Sequence, residues 1–136
     1  MENIHFFFFA IIKNNLEIIQ LLINYANQHH IILDLNKKNE DGISPFLFAA
    51  FKSYTEIIRI LINYANQHNI ILDLNESNKE GCYPLLCATL YNNNDSEIVQ
   101  LLIDYVNQHN IIMKLNEIDH YGMYPLLYYF LCYHRK

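Results

Sequence analysis

The chain has 136 residues, 52% of them apolar and 17% charged, and a formal net charge of −5. That is one domain's worth of sequence with ample material for a continuous core, which excludes a disordered chain. The mild acidity, with Arg135-Lys136 as the densest basic cluster, argues against a phosphate-neutralising face and hence against a nucleic-acid partner.

Residues 3–14 read as a short, very apolar helix holding Phe6, Phe7, Phe8 and Phe9. The run from Ile4 to Ile12 resembles a secretory core. However, Glu2 stands where Lys or Arg belongs, and Lys13-Asn14-Asn15 stands where a small-residue cleavage site belongs. The run is also too short to span a bilayer, so it reads as a core helix. Asn15 can cap the next helix, with Glu17 in its first turn, where a carboxylate suits the helix dipole. Ile18, Ile19, Leu21, Leu22, Tyr25 and Ala26 fall at helical spacing, and this helix should end near Gln28 or His29. Ile31 to Asn36 forms a compact apolar connector. Lys37 to Gly42 is a polar turn in which Gly42 supplies a positive φ.

The plan then recurs. Pro45 opens a short helix over Phe46 to Lys52, its missing N–H harmless at the first helical position. A longer amphipathic helix spans about Thr55 to His68. Gly81 and Pro84 mark the third turn and short helix, and a helix over about Ser96 to His109 follows. Asn92 to Asp95 lengthens the link between the two. Gly122 and Pro125 begin a fourth short helix, Leu126 to Cys132, with no second helix after it.

The stretch Ile62 to Asn75 organises this plan. It recurs with one change at Ile23 to Asn36 and more loosely at Ile103 to Asn116, at intervals of 39 and 41 residues. A period of about forty residues signals stacked helical repeats, since one unit alone cannot bury its apolar face.

The turn and short helix of each unit resemble the ankyrin repeat. That family has a turn Asp-x-x-Gly-x-Thr-Pro-Leu-His-x-Ala-Ala followed by a helix of the type Glu-Ile-Val-x-Leu-Leu. Here Asn39-Glu40-Asp41-Gly42-Ile43-Ser44-Pro45-Phe46-Leu47-Phe48-Ala49-Ala50 precedes Glu56-Ile57-Ile58-Arg59-Ile60-Leu61. Gly81-Cys82-Tyr83-Pro84-Leu85-Leu86-Cys87-Ala88 precedes Glu97-Ile98-Val99-Gln100-Leu101-Leu102, and Asp119-His120-Tyr121-Gly122-Met123-Tyr124-Pro125-Leu126-Leu127 opens a fourth copy. The resemblance implies a single all-α, ankyrin-like helical-repeat solenoid over residues 1–136, with units at about 1–38, 39–77, 78–118 and a partial unit at 119–136.

The units depart from the family in two ways. They are about six residues longer than the ankyrin period of about 33, with the excess in Gln67-His68-Asn69-Ile70-Ile71-Leu72. Ala65-Asn66 replaces the family's Gly-Ala, so the helix is expected to run on by a turn or more, with Ile70, Ile71 and Leu72 folding back onto it. The family's Thr is Ser44, Tyr83 and Tyr124, and its His is Leu47, Leu86 and Leu127. Its Thr–His hydrogen bonds are thus missing, and apolar packing should replace them.

Candidate chemistry is sparse. Cys82, Cys87 and Cys132 form no Cys-x-x-Cys pair and read as reduced thiols. His29, His68 and His109 share one repeat position, but neighbouring units stand about 10 Å apart, too far to share a metal whose ligands lie near 2 Å. They read as polar helix ends. Cys82, Cys87 and His120 match no zinc spacing. No nucleophile elbow, phosphate loop or His-Glu-x-x-His occurs, so no enzyme and no cofactor is expected. Glu17, Glu56 and Glu97 read as helix-start carboxylates.

What remains is a surface. The resemblance implies partner binding by turn tips and exposed short-helix residues. By position these are Glu40, Asp41, Ile43, Phe51 and Lys52; Lys79, Glu80, Cys82, Leu90 and Tyr91; and His120, Tyr121 and Met123. The expected role is a non-catalytic protein–protein interaction module, with a structural segment of a longer array as the alternative. The expected partner is another protein or further repeats. End-to-end self-association through the apolar ends, Phe6 to Phe9 and Tyr128 to Leu131, is a further expectation. No membrane contact is expected, and the setting is intracellular, cytoplasmic or nuclear.

Overall fold

Helices come in short–long pairs. The computed structural model describes residues 2–91, 96–115 and 117–122, the side chains of residues 2–4 and of Tyr91 excepted. The pairs are α1 (Glu2–Ile12) with α2 (Leu16–Gln28), α3 (Pro45–Phe51) with α4 (Thr55–Gln67), and α5 (Pro84–Tyr91) with α6 (Glu97–Gln108). No strand occurs among the described residues, and the fold is an all-α helical-repeat solenoid. The Asn92–Asp95 link, Asn116 and the predicted helix over Leu126 to Cys132 lie outside the described residues.

Local sequence sets the helix ends. Asn15 Oδ1 accepts from the Ile18 N–H, 3.1 Å away, and Ser44 Oγ from the Leu47 N–H, also at 3.1 Å, with Pro45 opening α3. Each long helix stops at a left-handed residue: His30 (φ 54°), Asn69 (φ 55°) and Asn110 (φ 54°). The next N–H then bonds back across the last turn, Ile31 to Ala26 O at 2.8 Å, Ile70 to Ala65 O and Ile111 to Val106 O at 2.9 Å. This is the Schellman arrangement, built on Asn and His rather than Gly. It also corrects the expectation of a further helical turn. The helix passes Asn66 by a single residue, Gln67, before His68 caps it.

The core is one continuous cluster running from Phe7 and Ile11 through Ile19, Phe46, Ile57, Ile58 and Leu61 to Leu86, Ile98 and Leu102. Each such side chain contributes about 1.5–3 kcal/mol on burial. Ala49, Ala50 and Ala88 are fully buried, and their small size lets α3 and α5 pack closely.

The connectors are extended and alternate. Ile70, Leu72 and Leu74 point inward, whereas Ile71 and Asp73 point to solvent, the period of two of a straight chain. Ile71 therefore does not fold back as expected. Neither do its equivalents Ile32 and Ile112, both exposed.

Three of the sets of hydrogen bonds that join successive units use the recurring stretch. The Leu33 N–H donates to Tyr64 Oη, and the Leu72 N–H to Tyr105 Oη, each at 3.0 Å. Asn36 spans the next connector, its Nδ2 donating to Ile71 O (2.7 Å) and its Oδ1 accepting from the Asp73 N–H (3.0 Å). Asn75 does the same to Ile112 O and the Lys114 N–H, each at 2.9 Å. Finally His68 Nε2 donates to Asn27 Oδ1 (3.0 Å), and His109 Nε2 to Asn66 Oδ1 (2.8 Å). Each imidazole also stacks on the tyrosine one turn earlier, Tyr25–His29, Tyr64–His68 and Tyr105–His109, with centroids 4.2–4.3 Å apart. His68 and His109 are thus rungs between units rather than merely polar helix ends. Arg59 adds an ion pair from the second unit to Glu97 of the third, and Lys38 pairs with Glu76.

Candidate functional site

The turn tips are built by asparagine. Asn39 Oδ1 accepts from the N–H groups of Asp41 (2.9 Å) and Ile43 (3.0 Å). Asn78 Oδ1 accepts from those of Glu80 and Cys82, each at 2.9 Å. These bonds hold each tip in a fixed hairpin-like shape. The tips then stack, with the Lys79 N–H donating to Asp41 O (3.1 Å) and the His120 N–H to Glu80 O (3.0 Å).

Between the stacked tips and the short helices lies a groove of about 380 Å³. Ile43, Leu47, Phe48 and Phe51 form its apolar side, Asp41, Asn78, Lys79 and Glu80 its polar rim, and Cys87 lies at its base. Phe48 is locked by its neighbours, with Phe8 at 5.9 Å and Tyr54 at 6.4 Å between ring centroids. Lys52 lies over both Phe48 (5.9 Å) and Phe51 (5.5 Å), close enough for cation–π attraction. An apolar wall with a rim of both charge signs suits an amphipathic surface of another macromolecule. Preformed walls lower the ordering cost of such binding.

The groove's thiol is not poised for nucleophilic chemistry. Its hydrogen bond to Cys82 and its burial push the Cys87 thiol up, while the same bond holds the Cys82 thiol below its ordinary value. Among the described residues no group of three or more His, Cys, Asp and Glu side chains is arranged to hold a metal.

Asp41, Ile43, Phe51, Lys79 and Glu80, singled out in the sequence, come together on this groove. Glu40 is exposed on the first tip, and Lys52 is exposed beside the groove. His120 and Tyr121 are exposed on the third tip, Tyr121 to 72%. Leu90 is half-buried against the core and does not line the groove. Cys82 is a correction. It occupies the repeat position of Ile43 but is only 4% exposed, because its thiol turns inward to Cys87. The Tyr91 side chain and Met123 lie outside the described residues.

Leu47, Phe48, Asn78 and Cys87 were missed. A signal for two of them existed. Phe48 and Cys87 share a repeat position and stand one turn before Phe51 and Leu90, on the same helix face.

The absent Thr–His network also has a different replacement from the one expected. Tyr83 is 1% exposed, but its hydroxyl donates to Glu117 O at 2.8 Å, so it adds a polar link from the start of the third unit to its end as well as bulk. Burial, then the negative charges of Glu117 and Asp119, push its hydroxyl up to about 12.

No helix among the described residues is long and apolar enough to cross a membrane. A family model described as ankyrin repeats (3 copies) matches residues 7–114. No curated protein matches the chain significantly.

Proposed function

The chain belongs to the ankyrin-repeat family, and from that premise we propose that it is a non-catalytic protein–protein interaction module that seats its partner in the groove between the turn tips and α3 and α5. Ankyrin repeats serve in general as protein-interaction modules, which makes binding the first reading. The observation that carries it here is the preformed apolar wall of Ile43, Leu47, Phe48 and Phe51 beneath a rim of Asp41, Lys79 and Glu80. Central apolar and aromatic anchors inside a polar rim are where interface energy concentrates. Phe51, 38% exposed, is the anchor a partner would cover. The partner chemistry this fits is a protein segment with apolar side chains at its centre and charges of both signs around them.

The test is comparative capture followed by a binding titration. Proteins retained by the wild-type chain are compared with those retained by F51E, I43E and, as a control on the exposed face of α4, N63A. A partner lost with F51E and I43E but held by N63A supports the groove. A partner held by all three places binding elsewhere and overturns the assignment.

A further inference from the structure

The front of the first unit is an interface face left uncovered. Ile18 is 45% exposed, whereas its repeat equivalents Ile57 and Ile98 are at 0%. Tyr25 is 54% exposed, whereas Tyr64 and Tyr105 are each at 2%. Phe6 is exposed beside them, and with Leu22, Tyr25 and Ile31 it frames a hollow of about 90 Å³. The rear of the third unit shows the complementary deficit. Leu115 is 45% exposed, whereas Leu35 and Leu74 are at 0% and 2%. Val99 and Met113 are half-buried, where their equivalents Ile58 and Leu72 are buried.

The polar groups match in the same way. Inside the chain each interface joins a tyrosine hydroxyl to a connector N–H, and a histidine to an asparagine amide. At the front, Tyr25 holds the accepting half of the first bond and His29 the donating half of the second. At the rear, the Met113 N–H and Asn107 hold the giving and accepting halves at the equivalent positions. Among the described residues none of these four groups meets its counterpart.

We propose that the front of α2 docks on the rear of α6 in a second copy of this chain, a head-to-tail contact that repeats the internal interface between molecules. The occupant is specified by the molecule itself, because the chain shows twice what covers this face. Tyr25 would take the Met113 N–H of the other copy, and His29 would donate to its Asn107. Ile18 and Leu22 would lie against Val99, Ile103 and Leu115. Such a heterologous contact leaves one free front and one free rear at every step, so it propagates or closes into a ring. The inference is separate from the groove, which stays open on another face.

The experiment is sedimentation of the full chain over about a hundredfold range of concentration, with the heterologous contact predicting masses beyond a dimer. Y25E blocks the front and L115E blocks the rear. Each alone is expected to sediment as a monomer. Their equimolar mixture is expected to form a 1:1 dimer and nothing larger, through the rear of the first and the front of the second. H29A and N107A, both at exposed positions, should each shift the association to higher concentration. Unchanged circular dichroism and melting would show the variants folded. A wild-type monomer at every concentration overturns the proposal. So does a closed dimer abolished by Y25E but kept by L115E, which would mean front-to-front pairing.

Discussion

The hydroxyl oxygen of Tyr64 lies 3.0 Å from the backbone nitrogen of Leu33, 31 residues earlier, and both groups are buried. Without it the connector N–H would face the interior with no acceptor, a situation that costs about 1–3 kcal/mol. Y64F should therefore destabilise by about 1–2 kcal/mol in a urea titration, although it removes only one oxygen. Y105F, which strips the Leu72 N–H, should cost a similar amount. Y25F is the control, because Tyr25 is exposed, and it should lie within about 0.5 kcal/mol of wild type. Equal losses for all three would separate stability from this bond.

Asn36 holds the neighbouring connector through both ends of its amide. N36A should cost about 1 kcal/mol, the net value of hydrogen bonds at a partly solvated site. N36D keeps the acceptor for the Asp73 N–H but loses the donor to Ile71 O. It also brings a further carboxylate toward Asp73, which already feels Glu76 and Asp34. It should be no better than N36A, and urea midpoints of the two variants decide it.

Gly81 and Gly122 have the same left-handed backbone, φ +84° and +76°, in different surroundings. A Cβ at Gly81 would stand 3.1 Å from Asp119 Cα, whereas one at Gly122 meets nothing within 4 Å. G122A should lose about 1 kcal/mol for the backbone strain alone. G81A should lose clearly more, because the third turn tip has to shift. A smaller loss for G81A than for G122A in thermal melts would contradict this close stacking of the tips.

Tyr83 gives a pH signature. Its folded-state hydroxyl titrates near 12, above the ordinary value of 10.0. Between those values the unfolded chain releases a proton that the folded chain keeps, so stability falls as pH rises through that window. Below pH 10 the contribution is fully present. Y83F should be less stable than wild type at neutral pH, since the Glu117 carbonyl loses its donor. The gap should narrow as the pH rises from about 10 to about 12. Urea midpoints across that range measure it, and a gap that stays constant would argue against this role.

The architecture was legible because the period of about forty residues and the Pro and Gly positions are local signals. Asn15, Ser44 and Pro45 announced their helix starts through short-range chemistry. The helix end at Gln67 was harder. The left-handed residue is Asn69, and Asn can fill that position or continue a helix, so its type alone does not decide. The three histidines share one repeat position, but the bonds of His68 to Asn27 and of His109 to Asn66 cross 41 and 43 residues. Such partners are set by the stacking of units and by nothing adjacent in sequence. For the groove, the turn-tip positions followed from register. Cys82 went the other way from Ile43 because a second thiol, Cys87, was waiting inward.

The asparagine bridges from Asn36 and Asn75 bind main-chain atoms of the next connector, not particular side chains. Such a joint is indifferent to what its neighbour is made of, so long as the neighbour keeps its outline. Outward residues such as Glu40 and its repeat equivalent Lys79 are then free to diverge from unit to unit while the joints stay the same. An in-frame tandem duplication of one unit would meet its contacts already provided, and the array could grow by copying without any new invention at the seams.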